Sequence, residues 1–148
     1  MVKALKRTVF VGTFRHSVDE KKRLAIPAKW RAAARGASEF YVLPSPKNCL
    51  VVKSSETIGK MLDKADEITF GDIKRRDALR TIASRAHDCP VDSQGRVNLP
   101  DNLLRFAEIT DEAVLVGNFN EFEIWSPKRW EAEEGVQDLI EAATEVGL

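Results

Sequence analysis

The segment Val18-Asp-Glu-Lys-Lys-Arg-Leu-Ala-Ile-Pro27 returns 73 residues later as Val91-Asp-Ser-Gln-Gly-Arg-Val-Asn-Leu-Pro100. The offset continues without a gap: Trp30 falls on Leu103, Phe40–Leu43 on Ala113–Val116, and Cys49–Val52 on Phe122–Trp125. A chain written twice at this spacing folds as two related supersecondary units. Units this small rarely bury an apolar face alone, so the two copies are expected to share one barrel-like core. The length of 148 residues suits one domain or two half-domains with a common core.

Each copy reads strand–turn–strand–helix–strand–turn–strand. Thr8–Phe14 is β-branched and aromatic and runs as a strand toward Val18. After the polar turn Asp19–Lys22, Leu24 and Ile26 alternate with Arg23 and Ala25, the period of a half-buried strand. Pro27 suits a first helical position, and the alanine-rich run from Ala28 to Arg35 ends at Gly36, a C-terminal cap. Phe40–Leu43 and Cys49–Val52 flank the turn Pro44–Asn48.

In the second copy Ala83–Val91 is the first strand, and Val97 and Leu99 are the inward residues of the next. Pro100 opens a helix carrying Leu103, Leu104 and Ala107 on one side, and a hairpin closes around Gly117–Asn120. Ser54–Glu67 and Asp72–Thr81 read as helices. The tail shows an amphipathic pattern through Trp130, Val136, Leu139, Ile140 and Ala143 despite Gly135. The expected organisation is a first unit over 7–53, a helical connection over 54–80, a second unit over 81–126 and an acidic helical tail over 127–148.

Net charge is zero but unevenly spread. Residues 1–35 carry ten Lys/Arg against Asp19 and Glu20, whereas residues 101–148 carry twelve acids against Arg105, Lys128 and Arg129. A basic front suits a polyanion, and an acidic tail suits a neighbouring subunit or a basic partner. The N-terminal apolar run is too short and broken for a signal peptide, and no window reaches the length of a membrane span. Cys49 and Cys89 lack CxxC spacing and read as reduced thiols of a cytoplasmic protein.

The duplicated Asp-x-x-x-Arg carries the chemistry. At a hairpin turn, Asp19 and Asp92 can accept from turn N–H groups and steady Arg23 and Arg96, whose side chains then project opposite Leu24 and Val97. The planar guanidinium fork grips phosphate or the O6/N7 edge of guanine in two places. A single such pair is an ordinary turn salt bridge; two in register point to the reading of a repeating, charged polymer. Arg15, Lys21, Lys22 and Lys29 enlarge the first copy's positive patch. Lys22 stands where the second copy has Gly95, so either the first turn differs in shape or Lys22 bears a positive φ angle.

A zinc site from His16, His87, Cys49 and Cys89 is conceivable, but ordinary strand residues account for all four better. Ser17 beside His16 lacks a nucleophile elbow, and there is no Walker loop or GxGxxG. No catalytic site presents itself and no cofactor or metal is expected.

The paired VDxxxR[LV]xxP segments, Phe122-Glu-Ile-Trp-Ser126 and the following Trp130 resemble the MraZ family of the AbrB/SpoVT swapped-hairpin superfamily, over about residues 8 to 130. The resemblance implies a mainly β fold with helices (α+β): two tandem AbrB-like units forming one pseudo-two-fold, double-psi-like barrel. It implies a bacterial transcriptional regulator, associated with the nucleoid, that binds tandem G-rich boxes in double-stranded DNA upstream of its own division and cell-wall operon. Ring-shaped, octamer-like homo-oligomers are also implied. The family's Asp-x-x-x-Arg signature falls on Asp19 and Arg23 and on Asp92 and Arg96, and its usual glycine is kept as Gly95 but replaced by Lys22. An AbrB-like antitoxin or scaffold working through protein partners is the alternative that the acidic tail favours.

Overall fold

The duplication is visible in the order of the strands. The computed structural model describes residues 9–33, 39–135 and 137–148. The first copy supplies β1 (Thr13–Ser17), β2 (Arg23–Ala25), α1 (Ala28–Ala33), β3 (Glu39–Pro44) and β4 (Leu50–Lys53). Then come α2 (Ser55–Asp66) and α3 (Ile73–Ala83). The second copy supplies β5 (His87–Pro90), β6 (Arg96–Asn98), α4 (Asp101–Ala107), β7 (Glu112–Gly117) and β8 (Glu121–Trp125), followed by α5 (Pro127–Glu133) and α6 (Leu139–Glu145). The six-stranded sheet runs β1-β7-β8-β4-β3-β5, and β2 and β6 form a separate two-stranded sheet. With matched strands equated, the large sheet is a palindrome about the β8–β4 pair.

The two copies are exchanged rather than merely adjacent. β1 pairs antiparallel with β7 of the other copy, Thr13 opposite Val116 through Ser17 opposite Glu112. Its counterpart β5 pairs with β3, Phe40 opposite Cys89. β2 and β6 meet with Leu24 opposite Val97. Each copy therefore completes the other's sheet, the swapped-hairpin arrangement that the family resemblance implies, and a single copy would leave unpaired strand edges.

Burial follows the period-two pattern. Leu24, Ile26, Val97 and Leu99 turn inward and join Phe10, Trp30, Phe40, Leu50, Phe122 and Ile124 in one core. The Trp30 ring lies 4.7 Å from Phe122 and 5.7 Å from Phe10, and its indole N–H donates to the Val11 carbonyl at 2.9 Å. Burying each such side chain stabilises the fold by about 1.5–3 kcal/mol, which explains why an aromatic cluster anchors the exchange. Gly117 is required by close approach: a Cβ there would stand 2.6 Å from the Phe10 carbonyl oxygen. A smaller cluster of Cys49, Val114 and Trp125 holds Trp130, whose ring is 5.7 Å from Trp125.

The structure differs from the sequence expectations in several places. Pro27 and Pro100 precede their helices instead of occupying the first turn; Pro100 sits at the N-cap. The first strand of the second copy is only His87–Pro90, because α3 runs on through Ala83. In the first copy the strand starts at Thr13, after Gly12 with φ +100°. The tail is two helices, not one amphipathic helix: Gly135 has φ +81°, and Leu139 and Ile140 are exposed. Thr8, Arg35, Gly36 and Val136, to which elements were assigned, lie outside the described residues.

The connecting helices form as expected, capped by Ser54 accepting from the Thr57 N–H and Asp72 from the Arg75 N–H. Neither helix has a buried residue. Ile58, Met61, Leu62 and Ala65 of α2 face Leu79 and Ile82 of α3 across an apolar groove of about 420 Å³, floored by Tyr41 and Leu43. Among the described residues no helix is long and apolar enough to cross a membrane.

Candidate nucleic-acid interface

The two Asp-x-x-x-Arg turns have the same geometry, bond for bond. Lys22 N–H donates to the Asp19 carbonyl at 2.9 Å, and Gly95 N–H to the Asp92 carbonyl at 3.0 Å. Asp19 N–H donates to Arg23 O at 3.1 Å, and Asp92 N–H to Arg96 O at 2.8 Å. Asp19 Oδ1 accepts from the N–H groups of Lys21 (2.9 Å) and Arg23 (2.8 Å), and its Oδ2 accepts from Arg23 Nε at 2.7 Å. Asp92 Oδ1 accepts from Gln94 and Arg96 N–H, both at 2.9 Å, and its Oδ2 from Arg96 Nε at 2.9 Å.

Lys22 has φ 64° and Gly95 φ 78°. The open question about the first turn is thus answered: its shape is the same, and Lys22 bears the left-handed conformation. That conformation costs a residue with a Cβ about 1 kcal/mol. The reason it is kept is visible in the next bonds. Lys22 O accepts from Leu99 N–H and Gly95 O from Ile26 N–H, each at 2.9 Å. The positive φ aims each turn's carbonyl at the other copy, so the two hairpins are locked together.

The electrostatics match the geometry. The Arg23 backbone N–H, more than any other group, holds the Asp19 carboxyl below the ordinary aspartate range; partial desolvation opposes this, and the guanidinium reinforces it. Asp92 is held down in the same way by the Arg96 backbone N–H. Both arginines use Nε on the carboxylate, and among the described residues neither guanidinium end has another protein partner. The two Nη groups of each remain for an acceptor pair, the geometry needed for phosphate or a guanine edge.

Lys21 and Lys22 crown the first turn and Lys29 lies on the first turn of α1, all three exposed. Arg15 stands apart: on β1 its guanidinium donates to Glu112 at 3.0 Å and lies 3.9 Å from Glu131. Two residues on this surface escaped the sequence reading. Asn98 is exposed directly opposite Arg23 on the β2–β6 ladder, so its side chain shares Arg23's face, whereas Arg96 has only Ala25 opposite. Arg31 is the other: its Nε donates to the Ile26 carbonyl at 3.1 Å, and a Cβ placed on Gly95 would collide with its guanidinium. The one signal available was the reciprocal exchange at matched positions, Lys22 for Gly95 and Arg31 for Leu104.

The cysteines and histidines are not gathered into one site. Cys49 lies in the Trp125 cluster and Cys89 in the main core. His16 Nδ1 is 2.8 Å from the Ala25 carbonyl. His16, His87 and Cys89 lie on strands β1 and β5, and Cys49 precedes β4 by one residue.

An exchanged pair of β-hairpin units presenting two matched arginine turns defines a duplicated swapped-hairpin protein. A family model described as "MraZ protein, putative antitoxin-like" matches the chain twice, over residues 9–81 and 82–145. The chain belongs to the MraZ family. It is 32% identical over 145 residues to the transcriptional regulator MraZ of Halothermothrix orenii, covering 95% of this chain and 100% of that protein. The transcriptional regulator MraZ of Roseiflexus castenholzii is 37% identical over 124 residues, 83% of this chain and 85% of its own length. That of Ligilactobacillus salivarius is 35% identical over 138 residues, 90% and 95% of the two chains. These relatives are named as regulators, not as enzymes.

Proposed function

We propose that this protein is a transcriptional regulator that binds double-stranded DNA through its two Asp-x-x-x-Arg hairpins. The observation that carries the reading is the identity of the two turns, each leaving an arginine end free on a rigid, mutually locked pair of β-ribbons. The name shared by its relatives supports the regulatory role. Arg23 and Arg96 read guanines, Asp19 and Asp92 hold them in place, and Lys21, Lys22 and Lys29 contact phosphates. Arg15 contributes less, since Glu112 and Glu131 already answer its charge. The two units, 7–53 and 81–126, act as halves of one reading body.

The target is a set of tandem short G-rich boxes upstream of the protein's own division and cell-wall operon, engaged by a ring-shaped, octamer-like homo-oligomer associated with the nucleoid. Repeated weak contacts along such boxes combine through effective concentration. Support for self-association comes from Leu62, Ile73 and Ile82, exposed on the connecting helices, and from Phe70 in the turn between them. The exposed apolar residues Leu139 and Ile140 on acidic α6 favour a second reading, an antitoxin or scaffold that binds a basic protein partner.

Fluorescence anisotropy on the upstream DNA of the protein's own gene, beside a scrambled duplex and over a salt series, tests the first reading. Tight, salt-sensitive, sequence-preferring binding is expected. Equal affinity for both duplexes would reduce the hairpins to backbone anchors, and no binding by an intact oligomer would favour the protein-partner reading.

A further inference from the structure

The second hairpin looks poor in charge along the chain: its turn is Asp92-Ser-Gln-Gly95, against Asp19-Glu-Lys-Lys22 in the first. In space it is not poor. Arg31 leaves α1 of the first copy, fixes its Nε on the Ile26 carbonyl at 3.1 Å, and carries its guanidinium across to the Gly95 turn. Ile26 is the same residue whose N–H donates to Gly95 O, so one short segment both ties the copies together and places the arginine. Only glycine leaves room at position 95: any Cβ there would occupy the space of the Arg31 guanidinium.

The first hairpin shows the complementary solution. The residue matching Arg31 is Leu104, too short to cross its turn, and the glycine is replaced by Lys22. Leu104 and Lys22 there border an open cleft of about 690 Å³. The cation that one hairpin carries on its own turn is delivered to the other from the opposite repeat.

We propose that Arg31 is a DNA-contacting residue of the second hairpin, a phosphate-binding cation that does there what Lys22 does at the first. The inference rests on the DNA-binding reading above and extends it to a residue outside both motifs. With Nε committed to a carbonyl and no other hydrogen-bond partner among the described residues, the Nη groups remain for a phosphate beside the base step facing Arg96. Its contribution is sequence-independent, because a phosphate contact carries no base identity. Gly95 is then selected twice, for its φ of +78° and for the passage it leaves to Arg31.

The test is anisotropy of the full oligomeric chain on the upstream duplex and its scrambled control, each over a salt series, for wild type, Arg31→Gln and Arg31→Lys. Arg31→Gln keeps most of the stem and removes the charge. It is expected to weaken both duplexes by the same several-fold factor and to lower the salt slope by about one per engaged subunit. Arg31→Lys is expected to keep the slope. Thermal unfolding and gel filtration identify any variant that has lost the fold; in that case Arg31→Lys against wild type at matched oligomeric size still reports the slope. An unchanged affinity and slope in Arg31→Gln, with wild type binding normally, would overturn the inference and leave Arg31 as a packing residue. A wild type that binds no DNA would remove the underlying reading as well.

Discussion

Leu24 and Val97 lie directly opposite each other at the centre of the β2–β6 ladder, both buried, and the pseudo-two-fold axis of the molecule passes between them. Arg23 and Arg96 are one residue from this pair on matched strands, so the axis relates the two arginine turns. Their relative placement is a property of the core and not of flexible loops. Leu24→Ala is therefore expected to cost about 2–5 kcal/mol in chemical denaturation. It should also blunt sequence preference in DNA binding before the fold is lost, as the two turns lose their register.

Lys22 separates stability from binding. Lys22→Gly removes the Cβ from a φ of 64° and should raise stability by up to about 1 kcal/mol, a Tm gain of a few degrees by calorimetry. The same change deletes a turn cation, so affinity for any duplex should fall. Gly95→Ala should lower Tm, because it adds a strained Cβ where Arg31 lies.

The turn carboxylates set an acid limit. Asp19 and Asp92 are both held below the ordinary aspartate range, first by the N–H of the arginine four residues on. A lowered native value means their contribution is complete above the unfolded aspartate range, about pH 4, and lost as pH falls through the native value. Asp19→Asn/Asp92→Asn should be less stable than wild type at neutral pH and lose less on acidification. Equal acid slopes of Tm in the two proteins would contradict this.

Burial pushes both thiols, Cys49 and Cys89, up to about 11, with Glu123 and Asp88 adding repulsion to the respective thiolates. The native protein should accordingly resist a thiol-titrating reagent near neutral pH, and both thiols should react as it unfolds. Rapid labelling of the native chain would place either cysteine at the surface.

The repeat made much of this fold legible. Period-two burial at Leu24, Ile26, Val97 and Leu99 followed from alternation, and α2 and α3 formed within a residue or two of the segments Ser54–Glu67 and Asp72–Thr81 that read as helical. The local bonding of the Asp-x-x-x-Arg turns followed from the chemistry of aspartate and arginine. The exchange of β1 and β5 was not written in local pattern, since alternation says which face is buried and never which strand lies alongside; it came with the family resemblance. The tail misled because Leu139 and Ile140 have helical spacing without an intramolecular surface to cover them. Arg31 stayed hidden for a related reason. Its importance depends on Gly95, a neighbour in space from the other repeat, which only the assembled β2–β6 ladder brings within reach.

The most direct measurement compares Arg23→Ala, Arg96→Ala and the double substitution with wild type by anisotropy on the upstream duplex and its scrambled control, at matched oligomeric size. If both turns read DNA, each single change weakens the specific duplex more than the scrambled one, and the double change leaves only non-specific, salt-sensitive binding. Specific binding that survives the double substitution would contradict the account and place the reading surface elsewhere on the molecule.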